Sequence, residues 1–139
     1  MIEKSFGTVP VKKEDNLYYV FLIQHRKGLH WGFPKGHAEL NELPKQTALR
    51  ELKEETGLQL IKYVSSAPFV EHYSFEKDAQ IVNKTVEYFI VEVLGEAVFE
   101  EKEVLDGGWF TFSDAKKTIT FQESRFILDK VAKFLENVS

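Results

Sequence analysis

The sequence predicts an α/β fold, a mixed sheet held between helices on opposite faces, from three observations. Two stretches of strand length, Tyr18 to Ile23 and Lys84 to Val93, are dominated by apolar, β-branched and aromatic residues. Residues 44–56 are framed as a helix by Pro44 and Gly57, and residues 122–136 repeat apolar side chains at helical spacing. Strands and one-sided helices bury their apolar faces against each other in layers. The 139 residues are read as one domain, 1–139, long enough for a real core and too short for two.

In chain order, Ser5 to Val11 has β-forming residues around Gly7, but Pro10 denies one ladder hydrogen bond and suggests an edge or a strand end. Residues 13–16 are a turn. Tyr18 to Ile23 is a continuous apolar run, read as a central strand buried on both faces. It ends at Gln24–Gly28, where His25, Arg26 and Lys27 read as a solvated basic turn. Trp31 to Phe33 is a short extended piece, and Pro34 keeps Phe33 out of the helical region. Pro44 suits the first helical turn and Gly57 the left-handed C′ position, so a helix runs from about Pro44 to Thr56, with Ala48 and Leu52 facing the core.

Beyond that helix, Leu60 to Val64 alternates weakly and Pro68 to Phe75 is strand-like, with a hairpin loop at Glu76 to Gln80. Lys84 to Val93 is a second central strand. Glu100 to Gly108 reads as an acidic loop before a short strand, Trp109 to Thr111, and Ser113 or Asp114 can cap a short helical turn after it. From Gln122 to Glu136, Phe126, Ile127, Val131, Phe134 and Leu135 mark a closing amphipathic helix.

The chemistry concentrates on the first helix. Glu51, Glu54 and Glu55 stand at i, i+3 and i+4, which gathers side chains that repel one another on one face. Taken alone they read as a solvated acidic face partnered by Arg50 and Lys53. A hard divalent cation such as Mg²⁺ would offset the same crowding, because it takes oxygen ligands and leaves places for water and phosphate. The wider pattern is G-x5-E-x7-R-E-U-x-E-E-x-G-U, with U apolar, carried by Gly36, Glu42, Arg50, Glu51, Leu52, Glu54, Glu55, Gly57 and Leu58. It resembles the box of the Nudix hydrolase family at every specified position. Many members have glycine before the first box glutamate where this chain has Asn41, a residue that tolerates the same left-handed turn.

That resemblance implies an α/β/α sandwich and hydrolysis of a pyrophosphate link with Mg²⁺, or Mn²⁺, as cofactor. Glu51 and Glu55 would be the principal metal ligands, Glu54 a further ligand or water-orienting base, and the Lys35 carbonyl a further coordination position. Arg50 would pair with Glu42 to hold the loop on the helix. Gly36 fits a close backbone approach. Glu103, six residues before Trp109, resembles the family's E-x5-W segment, where a further metal ligand or base often stands.

Two flanking segments narrow the resemblance. Trp31-Gly32-Phe33-Pro34-Lys35-Gly36-His37 is similar to the W-x-x-P-K-G-H of asymmetric diadenosine tetraphosphate hydrolases, and Lys84-Thr85-Val86-Glu87-Tyr88 to their K-T-V-x-Y strand. This implies phosphate binding by Lys35, His37 and Lys84, and base contacts by Tyr88 and Phe121. Other readings are an RNA 5′ pyrophosphohydrolase and a nucleotide-sensing module without turnover, although sensing relatives usually lose box carboxylates that this chain keeps.

Composition bounds these readings. Aromatics are 14% of the chain, with twelve Phe, which suits a packed interior. The formal net charge of −4 disfavours an extended nucleic-acid footprint. Cysteine is absent, which removes thiol catalysis and zinc–thiolate sites. No apolar run approaches the ~20 residues of a membrane span, and the polar start is unlike a signal peptide. A monomeric, soluble, cytoplasmic protein is expected, with a dinucleoside polyphosphate as its partner.

Overall fold

The computed structural model describes residues 1–138. β1 (Ile2–Glu14) and β2 (Leu17–His25) form an antiparallel hairpin whose two turn residues, Asp15 and Asn16, have φ of 50° and 65°. Such paired left-handed residues match the twist of the flanking strands. β2 then meets β3 (Trp31–Gly32), and β4 (Lys35–Gly36) pairs with β1 at Phe6 and Gly7.

After α1 (Pro44–Thr56) come β5 (Gln59–Tyr63), β6 (Phe69–Lys77) and β7 (Gln80–Leu94). β7 runs parallel to β1 and antiparallel to β5 and β6, so the sheet is mixed, in the order β3-β2-β1-β7-β5. β8 (Val104–Thr111) pairs with β2, and α2 (Phe112–Thr118) and α3 (Gln122–Val138) close the chain.

The strand period of two sorts the core into two layers. Val20 and Leu22 of β2 pack with Val86, Tyr88 and Ile90 of β7 under Ile127, Leu128 and Val131 of α3. Phe21 and Ile23, together with Val91 and Val93, pack under Leu52 of α1. Helices therefore cover both faces, and the expected α/β/α sandwich is what the chain forms. Among the described residues no helix is long and apolar enough to cross a membrane.

Several local expectations are corrected. β1 is a central strand, not an edge. Its Thr8 N–H donates to the Pro34 carbonyl at 3.1 Å. Because strand N–H groups alternate sides, Pro10 aims its missing donor the same way, into the gap between β4 at Gly7 and the β2 ladder that starts at Val11. The hairpin loop at 76–80 shrinks to Asp78 and Ala79, with φ of 51° and 63°. The acidic loop ends at Glu103, since Val104 to Gly108 already belongs to β8. Thr111, not Ser113 or Asp114, caps α2 by accepting from the Asp114 N–H at 3.1 Å. Phe126 is 54% exposed and lies outside the core, which α3 meets through Ser124, Ile127, Leu128, Val131 and Leu135.

Candidate functional site

α1 starts where Pro44 needs no donor and where the Gln46 side chain accepts from the Leu43 N–H at 2.9 Å. It ends at Gly57, whose φ of 70° closes the last turn through a bond to the Lys53 carbonyl. These bounds set the phase of the helix. Ala48 and Leu52 point into the core, and Glu51, Glu54 and Glu55 line a cleft of about 1170 Å³.

The loop before α1 is tied to it through Arg50, which pairs with Glu42 and, at 3.7 Å, with Glu39. Arg50 donates from Nε to Glu42 at 2.7 Å and from Nη2 to the other Glu42 oxygen at 3.0 Å, a two-pronged carboxylate grip. Its Nη2 also reaches the His37 carbonyl at 3.0 Å, and its Nη1 reaches Glu51 at 3.0 Å and Glu54 at 3.1 Å. Glu42 further accepts from the Glu39 N–H and the Thr47 hydroxyl. The Arg50 bond, then these two, hold its carboxyl down at about 2. Asn41 has a φ of 65°, the left-handed turn its identity allows. Both partners foreseen for Arg50, Glu42 and Glu54, are engaged.

Gly36 lets the backbone of β4 come close to α1. A Cβ there would run into the Glu51 carboxylate and displace it from its present place. Next to it, the Lys35 N–H donates to Glu55 Oε1 at 3.0 Å. Glu55 is only 4% exposed. Burial first, then the Glu51 charge, raises its carboxyl to about 8. Glu51 is raised in the same sense, chiefly by burial, and both respond to Glu103 across the cleft.

Carboxylates driven upward by burial and by one another are short of positive charge. Their all-oxygen chemistry fits a hard divalent cation. Among the described residues no three carboxylate or imidazole groups already converge at cation spacing.

The opposite wall is basic and aromatic. Lys35 places its Nζ 3.4 Å from the Tyr73 hydroxyl and 5.7 Å from the ring centroid. Burial, then the charge of Lys84, lowers the Lys35 pKa. Lys84 and His37 also line the cleft, His37 with Nε2 3.4 Å from Glu3. Phe121 is 50% exposed, its ring 5.1 Å from that of His30, which stacks on His25 at 4.3 Å and 16°.

Of the residues singled out from sequence, Glu51, Glu54, Glu55, Arg50, Glu103, Lys35, His37, Lys84 and Phe121 all border this cleft. Tyr88 does not. Its ring is 1% exposed and packs edge-on against Phe33 at 5.2 Å, so it is a core residue and cannot stack on a base. Lys84 and Tyr88 share a strand face, but α3 covers that face from Val86 onward.

Sequence reasoning missed Tyr73, Phe75, Glu71 and His30 in the wall, and dismissed His25 and Lys27, which also line it. Glu71, 5% exposed, accepts from the Ser124 hydroxyl at 3.0 Å and is raised by its burial. The signal for Tyr73 lay in the hairpin register, which sets it directly opposite Lys84.

The NUDIX domain family model matches residues 1–130. MutT4 of Mycobacterium tuberculosis is 31% identical over 117 residues, 84% of this chain and 46% of that protein. The NAD-capped RNA hydrolase NudC of Salmonella paratyphi B is 28% identical over 109 residues, 76% of this chain and 38% of that protein. The chain thus spans less than half the length of these curated relatives. The structure of C. elegans Ap4A hydrolase superposes with a TM-score of 0.73 at 25% identity, over 97% of this chain and 99% of that one. A binary complex of C. elegans Ap4A hydrolase gives 0.77 at 23%, over 97% and 98%.

Proposed function

Since the chain belongs to the NUDIX domain family, we propose that it is a divalent-metal-dependent pyrophosphohydrolase that cleaves dinucleoside polyphosphates, diadenosine tetraphosphate going to ATP and AMP. The observation that carries this reading is one cleft in which Lys35 joins the two chemistries a dinucleotide needs. Its backbone N–H binds the Glu55 carboxylate, and its ammonium group lies against Tyr73. The cleft volume of about 1170 Å³ also exceeds the ~300–1,000 Å³ usual for small-ligand pockets, which suits a two-ended substrate.

Glu51, Glu54, Glu55 and Glu103 are the residues that would hold Mg²⁺ or Mn²⁺, with the Lys35 carbonyl as a further oxygen. A cation there would neutralise phosphate charge and make a water more acidic. Glu54, the most exposed of the α1 glutamates at 54%, would orient that water from the cleft rim, where Arg50 now holds one of its oxygens. Lys35, Lys84 and His37 would bind the polyphosphate. Tyr73 and Phe121 are the rings available to a base, Tyr73 taking the part that Tyr88 cannot. The likeness to C. elegans Ap4A hydrolase supports this substrate class.

The likeness to NudC supports a second reading, hydrolysis at RNA 5′ ends. Turnover with Mg²⁺ on diadenosine polyphosphates, NAD-capped RNA and triphosphorylated RNA separates the two. The expected result is the highest kcat/KM on the tetraphosphate, abolished by excess chelator. A preference for RNA that falls steeply with salt would favour the second reading instead.

A further inference from the structure

Glu103 stands in an exposed turn on the cleft rim. Residues 100–103 are all exposed, with Phe99 packed near Phe21 on one side and buried Val104 on the other. Within the stretch, the N–H groups of Glu103 and Val104 both donate to the Glu100 carbonyl, at 3.0 and 2.8 Å. What fixes this turn to the rest of the protein is Arg26, the residue after β2. Its backbone N–H donates to the Glu103 carbonyl at 2.9 Å, and its Nε donates to the Glu101 carbonyl at 2.6 Å.

The ladder between β2 and β8 prepares that grip. Gln24 faces Asp106 and His25 faces Val104, which leaves Leu105 as an extra residue. Such a bulge bends its strand and re-aims the side chains beside it. Arg26 itself does not line the cleft, whereas Glu103 does, together with Glu51 and Glu55.

We infer that Arg26 is a positioning residue, which, through the carbonyls of Glu101 and Glu103, holds the Glu103 carboxylate toward the α1 glutamates and so completes the oxygen-donor set for a divalent cation. The inference rests on reading the cleft as a metal site. It gives Arg26, otherwise a member of a solvated basic turn, a role at a distance from the substrate. The influence of Glu103 on the Glu51 and Glu55 carboxyls agrees with the closeness this requires.

The test is a double-mutant cycle on Mn²⁺ binding to the full chain without nucleotide, followed by electron paramagnetic resonance, with thermal melts to check that each variant folds. R26A is expected to weaken Mn²⁺ about tenfold, within the range for residues that orient a metal ligand. E103Q should weaken it by at least as much, and R26A in the E103Q background should add nothing. Both R26A and R26K keep the backbone bond to the Glu103 carbonyl, and R26K alone retains a side-chain donor for the Glu101 carbonyl, so it should fall between wild type and R26A. Wild-type affinity in R26A beside a weakened E103Q, or losses that add in the double variant, would overturn the role of Arg26 alone. Unchanged binding in E103Q would remove Glu103 from the metal site, and the inference with it.

Discussion

Glu55 is a buried carboxyl that burdens the fold, and the proposed metal role would account for its place. Its carboxyl, raised to about 8, is accommodated poorly as an anion until something positive joins it. Glu55→Gln should therefore leave the protein folded, with a melting temperature no lower in chelator, while kcat falls by two or more orders of magnitude. Near-wild-type turnover would remove Glu55 from the machinery. The aromatic wall gives a second comparison. Tyr73→Ala or Phe121→Ala removes a stacking contact worth about 1–3 kcal/mol, and should raise KM for diadenosine tetraphosphate about five- to hundred-and-fifty-fold, with kcat little changed. Tyr88→Phe should leave KM as it is, because the ring serves the core; steady-state kinetics on the three variants decide this. His25 supplies a pH dependence. Burial, then the charges of His30 and Lys35, depress its pKa from 6.5 to about 3. The unfolded chain takes up a proton near pH 6.5 that the folded chain refuses until about pH 3, so its contribution is intact above that window. It is lost as pH falls through it, by up to about 1.4 kcal/mol per pH unit. Urea midpoints at pH 7 and pH 5 should draw together in His25→Gln relative to wild type; parallel profiles would contradict this.

At the scale of elements, α1 was the most legible because its bounds are covalent. Proline at the start and glycine at the end fix the helix in sequence, and its observed range, Pro44–Thr56, is the one those residues imply. Gly57→Ala should cost about 1–2 kcal/mol, since a side chain is strained at φ 70° and a Cβ would also press on the Val98 backbone at 3.2 Å. Chemical denaturation tests it, and an unchanged midpoint would contradict it. The β6–β7 hairpin was legible only in part. Asp78-Ala79 lacks the asparagine–glycine signature of a two-residue turn, so the loop read too long and the register stayed hidden. With it stayed the pairing that puts Tyr73 opposite Lys84 and Glu71 opposite Val86. β1 was obscured by Pro10, whose tolerance depends on which side of the strand lacks a partner, a fact held in the tertiary pairing rather than in the sequence.

Over the whole molecule, the two-faced sheet follows from local patterns. Tyr18 to Ile23 and Tyr88 to Val91 are apolar at successive positions because α3 covers one face and α1 the other. The box residues were legible as one constellation because their spacing is fixed by a single loop and helix. The other cleft wall was not, because β2, β6, β7 and the segment entering α3 each contribute to it separately, β6 through Glu71, Tyr73, Ser74 and Phe75 and the others by one or two residues. The central claim is that these walls act together on a dinucleoside polyphosphate. It is tested most directly by incubating the protein with diadenosine tetraphosphate and Mg²⁺ in ¹⁸O-labelled water and weighing the products. ATP and AMP in equal amounts, with one ¹⁸O in the phosphate of one of them, is the expected result. Two molecules of ADP, or no cleavage by a folded, Mg²⁺-loaded protein, would contradict it.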